Sequence, residues 1–257
     1  MLSLVLALAV ASFAGVPSAS DDALRSTVTI GGTVGTSRDG NEVQFGAGEI
    51  LAQRADGTLL VLTARHVVAH LETPRVFLHD DVPLGSWVQR FFSSGAGRDA
   101  AVVALAPDTD LALIAFRPEV GDRFAIARFG DADPAQGTIV GDPYGAAWTT
   151  SAFALISGEN ATLIVRCARC GPGDSGGGVF DADGRLTGIV TESQDRVVDG
   201  HPVATGIFRA IALTPIRRFV ASAGTPTTAT PTAPLLATRG ITASDAWARF
   251  HAARSGP

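Results

Sequence analysis

Ser175 lies in a glycine-rich run, residues 170–178, that reads CGPGDSGGG. A serine hydroxyl is a weak nucleophile unless a base removes its proton and nearby donors stabilise the oxyanion that forms. Glycine permits positive φ and lets backbone N–H groups come close to a reacting carbonyl. The segments on both sides read as β-strands. The run therefore predicts a tight turn that presents one serine as a candidate nucleophile.

Two residues upstream supply the partners that this chemistry needs. His66 lies in residues 61–68, which read VLTARHVV, and Asp110 begins the segment DLALI. A histidine that takes the serine proton and an aspartate that orients the imidazole form a catalytic triad. Asp108 competes with Asp110 for the aspartate role, and a metal site on these two carboxylates has little support in the sequence.

The three segments resemble the motifs of the chymotrypsin-like (trypsin-fold) serine peptidases. TARH at residues 63–66 is similar to their histidine motif, DLAL at residues 110–113 to their aspartate motif, and GDSGG at residues 173–177 to their serine motif. The order His, Asp, Ser differs from that of subtilisins and α/β-hydrolases. The resemblance runs from about Thr27 to about Val220. It implies an all-β fold of two packed six-stranded antiparallel β-barrels, with a short helix after the last strand.

The same resemblance implies a serine endopeptidase that works through an acyl-enzyme intermediate. Ser175 would attack the scissile carbonyl, His66 would accept and return the proton, and Asp110 would orient the imidazole. The backbone N–H groups of Gly173 and Ser175 would form the oxyanion hole. Two other functions stay open: a catalytically latent or silent relative that binds proteins, and an esterase that uses the same triad.

The loop spacing at residues 170–173 and the segment GIFRAI at residues 206–211 are similar to bacterial HtrA-like (Deg-type) members. We therefore expect a peptidase of that type without a PDZ domain. The position six before Ser175 is an aspartate in trypsin and is Arg169 here. This difference favours a small apolar or acidic substrate side chain over Arg or Lys. Glu192, near the expected rim of the pocket, complicates the charge argument.

Asp174 and Thr191 have supporting roles under the resemblance. Many animal members are activated by a cut that frees an amino terminus to pair with the acidic residue before the serine. The residues after Arg25 do not match such a start, so we expect Asp174 to pair with Arg166 or Arg169 instead. Thr191 stands where the family has a hydroxyl residue near the aspartate, which predicts a supporting hydrogen bond there.

Cys167 and Cys170 are the two cysteines of the chain. In an exported protein an even count favours a disulfide, which would stiffen the wall of the pocket beside Ser175. Free thiols are the alternative. Redox and metal roles rank below both, because no thioredoxin-like context exists and no histidine lies nearby in sequence. We predict no metal and no cofactor.

The first twenty residues carry no charged side chain, and residues 2–16 are largely apolar. This pattern predicts a signal peptide over residues 1–20. The cut would follow Ala14, Ser18, Ala19 or Ser20. An uncleaved N-terminal membrane anchor is the alternative, although the apolar run is short for a spanning helix. Export would place the mature protein in the periplasm or outside the cell.

The length of 257 residues suits one domain or two small ones, and 46% hydrophobic residues with 29 glycines favour an all-β protein. A net charge of −5 gives no basic surface for nucleic acid. The expected partners are protein or peptide substrates, and the oligomeric state stays open.

We expect barrels over residues 26–118 and 119–222. A Thr/Pro/Ala-rich tail over residues 223–257 follows, with a short helix at residues 245–253.

Twelve short runs rich in β-branched or alternating apolar residues predict the strands that must hold the candidate triad. Short helices are predicted at residues 65–71 and 214–221. The predicted strands are Thr27–Val34, Val43–Ala52, Leu59–Thr63, Arg75–His79, Ala100–Leu105, Leu111–Phe116, Gly137–Gly141, Trp148–Ser157, Thr162–Arg166, Val179–Phe180, Leu186–Thr191 and Gly206–Ala212.

Overall fold

A computed structural model describes most of the chain between residues 20 and 223. The described residues are 20–37, 40–71, 73–83, 86, 97–159, 161–198 and 201–223. The expected signal peptide, apart from its last residue, and the expected tail, apart from its first, lie outside them. Within these ranges, no helix is both long and apolar enough to cross a membrane.

Six antiparallel strands form a first closed barrel. They are β1 (Thr27–Ser37), β2 (Gly40–Gln53), β3 (Leu59–Thr63), β4 (Arg75–Phe77), β5 (Arg98–Leu105) and β6 (Ala112–Phe116). Their order around the barrel is β1-β2-β3-β6-β5-β4. The barrel places the end of β3, which leads to His66, beside the start of β6, which follows Asp110.

Six further antiparallel strands form a second closed barrel, so the expected double barrel is confirmed. They are β7 (Gln136–Gly141), β8 (Thr149–Glu159), β9 (Thr162–Arg166), β10 (Gly178–Phe180), β11 (Leu186–Ser193) and β14 (Ile207–Ala212). Their order is β10-β11-β14-β9-β8-β7. Ser175 lies in the connection that leads into β10.

A hairpin outside the barrels was not predicted from the sequence. It consists of β12 (Arg196–Val198) and β13 (His201–Val203), which pair as a separate two-stranded sheet. The sequence between them is Asp-Gly, a pair typical of two-residue hairpin turns. That pair was the signal that could have predicted the hairpin.

Three α-helices occur in the described residues: α1 (Asp21–Ser26), α2 (Arg65–Val68) and α3 (Leu213–Ala223). The helix α3 confirms the expected closing helix after the last strand. The helix α1 was not predicted, although its start is signalled in the sequence. Ser20 caps it by accepting a hydrogen bond from the N–H of Ala23 at 3.1 Å, and two acidic residues occupy its first turn.

Strand alternation explains how the barrels pack against each other. Successive side chains of a strand point to opposite faces, so one face fills the strand's own barrel while the other can contact the neighbouring barrel. In β3, Val61 lies in the core of the first barrel and Leu62 in the cluster between the barrels. In β7, Ile139 lies in the core of the second barrel and Val140 in that same cluster. The two halves therefore share one apolar interface, and the candidate site lies along it.

Candidate active site

The first barrel brings His66 and Asp110 together. Thr63, at the end of β3, pairs with Ala112 at the start of β6, so the residues that flank these two positions are neighbours. The Nδ1 atom of His66 lies 2.6 Å from Oδ2 of Asp110, and the backbone N–H of His66 donates to Oδ1 at 2.9 Å. One carboxylate thus holds both the ring and the backbone of the histidine. This contact leaves Nε2 available for a second partner.

Asp108, the competing aspartate, is exposed and forms no hydrogen bond with His66. The geometry therefore favours Asp110. Within the described residues, no group of three or more His, Cys, Asp or Glu side chains is arranged to hold a metal ion.

The turn that carries Ser175 lies directly against the first barrel. The backbone N–H of Ala47 on β2 donates to the carbonyl oxygen of Ser175 at 2.8 Å. A Cβ atom at Gly46 would lie 2.6 Å from that oxygen and 2.7 Å from a methyl group of Val67. Val67 follows His66 on α2. The absence of a side chain at Gly46 therefore lets the serine turn and the histidine helix approach the same strand.

Gly176 shows why the residue after the serine is a glycine. Its φ is +85°, and a Cβ atom there would lie 2.0 Å from the carbonyl oxygen of Ala47. Its N–H donates to the carbonyl oxygen of Val190 on β11 at 2.7 Å. A left-handed backbone and a close barrel contact both require glycine at this position.

The two N–H groups expected in the oxyanion hole are free of partners within the described part of the chain. The N–H groups of Gly173 and Ser175 donate to no protein acceptor, whereas the intervening N–H of Asp174 donates to the carbonyl oxygen of Gly171 at 3.1 Å. Gly173 has a φ of +107°. Two unengaged donors on either side of one residue form an arrangement that suits a developing oxyanion.

The hydroxyl of Ser175 forms no hydrogen bond within the described residues, and neither does Nε2 of His66. Hydrogen bonds between catalytic groups are often long without substrate and tighten in the reacting complex. The carbonyl oxygen of Ser175 and the side chain of Val67, the residue after His66, both lie against Gly46.

Asp174 is buried and has no cationic partner among the described residues, so the expected ion pair with Arg166 or Arg169 is wrong. Its Oδ2 accepts a hydrogen bond from the N–H of Gly171 at 2.8 Å, whereas both arginines are exposed. Burial raises the pKa of the Asp174 carboxyl well above its usual value, and the nearby Asp142 raises it further, while the bond from Gly171 opposes the shift. Burial therefore favours the uncharged form of this carboxyl, in agreement with the lack of a counter-ion.

Thr191 does not make the expected hydrogen bond near the aspartate. Its hydroxyl donates to the carbonyl oxygen of Arg209 on β14 at 3.4 Å. The side chain of Arg209 lies opposite Glu192, with 3.4 Å between Nη1 and Oε2. Both side chains are largely exposed. Arg169 lies on the exposed loop before the serine turn and takes no part in this pair.

The disulfide between Cys167 and Cys170 is confirmed, with 5.5 Å between the Cα atoms. Neither thiol is free. Both residues belong to the core cluster of the second barrel, which also contains Val190 and Phe208. The disulfide therefore gives an apolar interior to the loop that precedes the serine turn.

Sequence reasoning missed two buried carboxyls near the site. Glu49 accepts hydrogen bonds from the hydroxyl of Thr27 at 3.0 Å and from the N–H of Gly178 at 2.8 Å. Burial raises the pKa of Glu49 well above its usual value and raises the pKa of Asp142 to about 7. The available signals were an acid inside the apolar strand β2 and an acid directly after β7. In the sequence, an acid at either position is equally compatible with a place on the surface.

Two closed six-stranded barrels, with a histidine–aspartate pair on one and a glycine-flanked serine turn on the other, define the serine-peptidase type of double barrel. The family model described as trypsin-like peptidase domain matches residues 46–189, more than half of the chain. The chain belongs to this trypsin-like peptidase family. The matched range contains His66, Asp110 and Ser175. No curated protein matches the chain.

Proposed function

We propose that this protein is a serine endopeptidase whose triad is His66, Asp110 and Ser175. The observation that carries the proposal is that the Asp110 carboxylate contacts both the ring and the backbone of His66. The 2.6 Å contact at Nδ1 and the 2.9 Å bond from the backbone fix the ring from one side. A ring held in this way keeps its proton on Nδ1 and presents Nε2 as a base.

The reaction follows from these positions. Ser175 Oγ attacks the scissile carbonyl carbon while His66 Nε2 takes the hydroxyl proton. The N–H groups of Gly173 and Ser175 stabilise the oxyanion, and the protonated imidazole then protonates the leaving amine. Water repeats the sequence on the acyl-enzyme. Asp110 stabilises the imidazolium that forms in each half.

A fluorophosphonate probe tests the proposal, because it labels a serine only when a base activates it. We expect the wild-type protein to be labelled, the Ser175→Ala variant to be unlabelled, and a Ser222→Ala variant to be labelled like the wild type. Ser222 lies on α3 and is exposed, so it serves as the matched control. Absence of labelling in a folded wild-type protein supports the latent or silent alternative.

Casein separates a peptidase from an esterase, since both would react with the probe. We expect Ser175-dependent cleavage of casein as well as of a small ester. Hydrolysis of the ester alone would assign the site to esterase chemistry.

We also propose that the substrate side chain beside the scissile bond is small and apolar, or acidic, rather than Lys or Arg. The loop before the serine turn carries Arg169 and no acid, and the disulfide and Phe208 give that loop an apolar interior. Glu192 is the nearby acid, and it faces Arg209. A peptide library read out by mass spectrometry tests this specificity, and dominant cleavage after Lys or Arg contradicts it.

We further propose that the protein is an exported peptidase of the HtrA-like type. A disulfide is typical of oxidising compartments, and the loop spacing before Ser175 supports the HtrA-like type. Amino-terminal sequencing of the mature protein tests export. A start between residues 15 and 21 supports it, and an intact Met1 in a membrane fraction supports the anchor.

A further inference from the structure

The turn between β7 and β8 packs directly on the loop that precedes the candidate nucleophile. We call residues 142–148 the β7–β8 turn. The N–H of Tyr144 donates to the carbonyl oxygen of Pro172 at 2.5 Å. A Cβ atom at Gly173 would lie 2.2 Å from the carbonyl oxygen of Asp142. No space separates the turn from these two residues.

The hydrogen bond from Tyr144 sets the direction of one oxyanion-hole donor. The carbonyl of Pro172 and the N–H of Gly173 belong to the same peptide unit. Because a trans peptide is planar, its C=O and N–H point in opposite directions, and the described residues contain no cis peptide bond. Holding the oxygen of Pro172 on the side of the β7–β8 turn therefore points the N–H of Gly173 to the opposite side, where no protein acceptor occupies it.

The backbone of the β7–β8 turn is unusual and needs support. Tyr144 and Trp148 both have a φ of 55°, a left-handed conformation that residues with a Cβ rarely adopt. Such conformations persist where the surroundings over-determine them, and they cluster at functional sites. The support must come from contacts at the two ends of the turn.

Asp142 supplies the contact that closes the turn. Its Oδ1 accepts a hydrogen bond from the N–H of Trp148 at 3.1 Å, which ties the first residue of the turn to the last. Its Oδ2 accepts a hydrogen bond from the hydroxyl of Thr29 at 2.7 Å. Thr29 lies on β1, so this side chain also fastens the turn to the first barrel. The carboxyl is fully buried and has no cationic partner among the described residues.

Trp148 anchors the far end of the turn to the same barrel. Its indole N–H donates to the carbonyl oxygen of Val82 at 2.9 Å, and its ring is fully buried beside Phe77. The N–H of Ala147 donates to the carbonyl oxygen of Ser86 at 3.0 Å. The turn thus rests on the first barrel while its other side holds the Pro172 carbonyl.

We infer that Asp142 is a positioning residue for the oxyanion hole: its carboxyl group closes the β7–β8 turn onto the first barrel, and the turn orients the Pro172–Gly173 peptide. This inference rests on the proposed peptidase function. It assigns a role in the reaction to a residue that touches neither the substrate nor the triad.

Steady-state kinetics of Asp142→Ala and Asp142→Asn on one peptide substrate tests the inference. Asp142→Ala should lower kcat by about 10²- to 10³-fold, the effect of losing one oxyanion donor, and leave KM within about twofold. Affinity for a peptide aldehyde, whose adduct with Ser175 needs the same donors, should fall in parallel. Asp142→Asn keeps an acceptor for the Trp148 N–H and a group that bonds to Thr29, so it should restore most of kcat. Asp131→Ala, at a side chain 89% exposed, is the matched control and should change nothing.

A residue with a purely structural role would not lower kcat while leaving KM nearly unchanged. A kcat of folded Asp142→Ala within threefold of the wild-type value overturns the inference, and so does a rise in KM at constant kcat. If Asp142→Ala does not fold, the Thr29→Val variant tests the inference instead. This substitution removes the hydroxyl that donates to Asp142 and keeps the shape of the side chain. A lower kcat at constant KM then supports the inference, and an unchanged kcat overturns it.

The activity of the wild-type protein distinguishes a failure of the inference about Asp142 from a failure of the proposed peptidase function. If the wild type is labelled and active and folded Asp142→Ala is equally active, the positioning role of Asp142 is refuted and the peptidase function stands. A wild-type protein that is folded but neither labelled nor active counts against the peptidase function, and the inference falls with it.

Discussion

Replacing Asp142 with Asn should change how the stability of the protein depends on pH. Burial raises the pKa of the Asp142 carboxyl from 3.8 to about 7, and the hydrogen bonds from Thr29 and Trp148 oppose the shift without cancelling it. In the unfolded chain the same carboxyl is solvated and ionises at its ordinary pKa. Between these two pKa values, the folded protein binds a proton that the unfolded chain has released.

The sign and the size of the effect follow from proton binding. A group with a raised pKa in the folded state contributes its stability below its unfolded pKa and loses it as pH rises through the folded pKa. The window here runs from about pH 4 to about pH 7. The pKa values differ by about three units, and each unit corresponds to about 1.4 kcal/mol. Asp142 should therefore cost the wild-type protein about 4 kcal/mol of unfolding free energy across that window.

Urea unfolding at several pH values between 4 and 8 measures this cost. The free energy of unfolding of Asp142→Asn, minus that of the wild type, should increase by about 4 kcal/mol from pH 4 to pH 8, because an amide does not titrate. Glu49 and Asp174 also have raised pKa values and titrate in both proteins. The charge of Asp142 contributes to both shifts, so its removal in Asp142→Asn changes the difference in the same direction.

The control is Asp131→Asn, at an exposed position, whose curve should run parallel to that of the wild type. If the curves of Asp142→Asn and the wild type are also parallel from pH 4 to pH 8, the carboxyl is ionised in the folded protein throughout. The reasoning from burial is then refuted.

Three further predictions concern the proposed catalytic aspartate, a closely packed glycine and the disulfide. Asp110→Asn should lower kcat by about 10⁴-fold in peptide hydrolysis, since the wrong imidazole tautomer is then held; a loss below tenfold contradicts the assignment. Gly176→Ala should destabilise the protein by several kcal/mol more than Gly57→Ala in urea unfolding. Both have nearly the same positive φ, but only the first meets a carbonyl within 2.0 Å. Replacing Cys167 and Cys170 together by Ser should lower the unfolding free energy by about 2 kcal/mol, the loop-closure value for so short a loop; equal stability of both proteins would show that the bond contributes nothing.

The strands could be predicted because their signals are local, whereas the double barrel was predicted from the resemblance of three motifs to a known family. Short β-branched runs between glycines mark the strands, and the TARH and DLAL segments sit at the ends of two of them. Cross-strand pairing of β3 with β6 then brings His66 to Asp110 without any further condition. When two residues lie at adjacent ends of paired strands, the strand pairing is enough to predict that they are close together.

Thr191 shows what the order of residues does not reveal. The register between β11 and β14 shifts between Val190 and Glu192, so one extra residue lies on β11 at this point. Such a bulge re-aims the side chains around it, and here the hydroxyl bonds to Arg209 instead of reaching the aspartate. A bulge depends on both strands and leaves little trace in the sequence of either.

The environments of the buried acids could not be predicted for a different reason. A cation brought to the buried Asp174 would lose its own hydration, and the structure provides the N–H of Gly171 as the partner instead. Asp142 contacts Thr29, which lies 113 positions away in the chain. Neither the protonation state nor a contact at that range follows from the residues next to each acid.

The shared interface between the barrels has a consequence for synthesis. A ribosome adds residues from the amino terminus, and domains generally fold as units when their chain is complete. The histidine and aspartate leave the ribosome on the first barrel, but the second barrel closes only when β14, ending at Ala212, has been made. A nascent chain that ends between Ser175 and Ala212 thus carries His66, Asp110 and Ser175 without a closed second barrel. Under the proposed function, the protein therefore gains its activity only after β14 has been made.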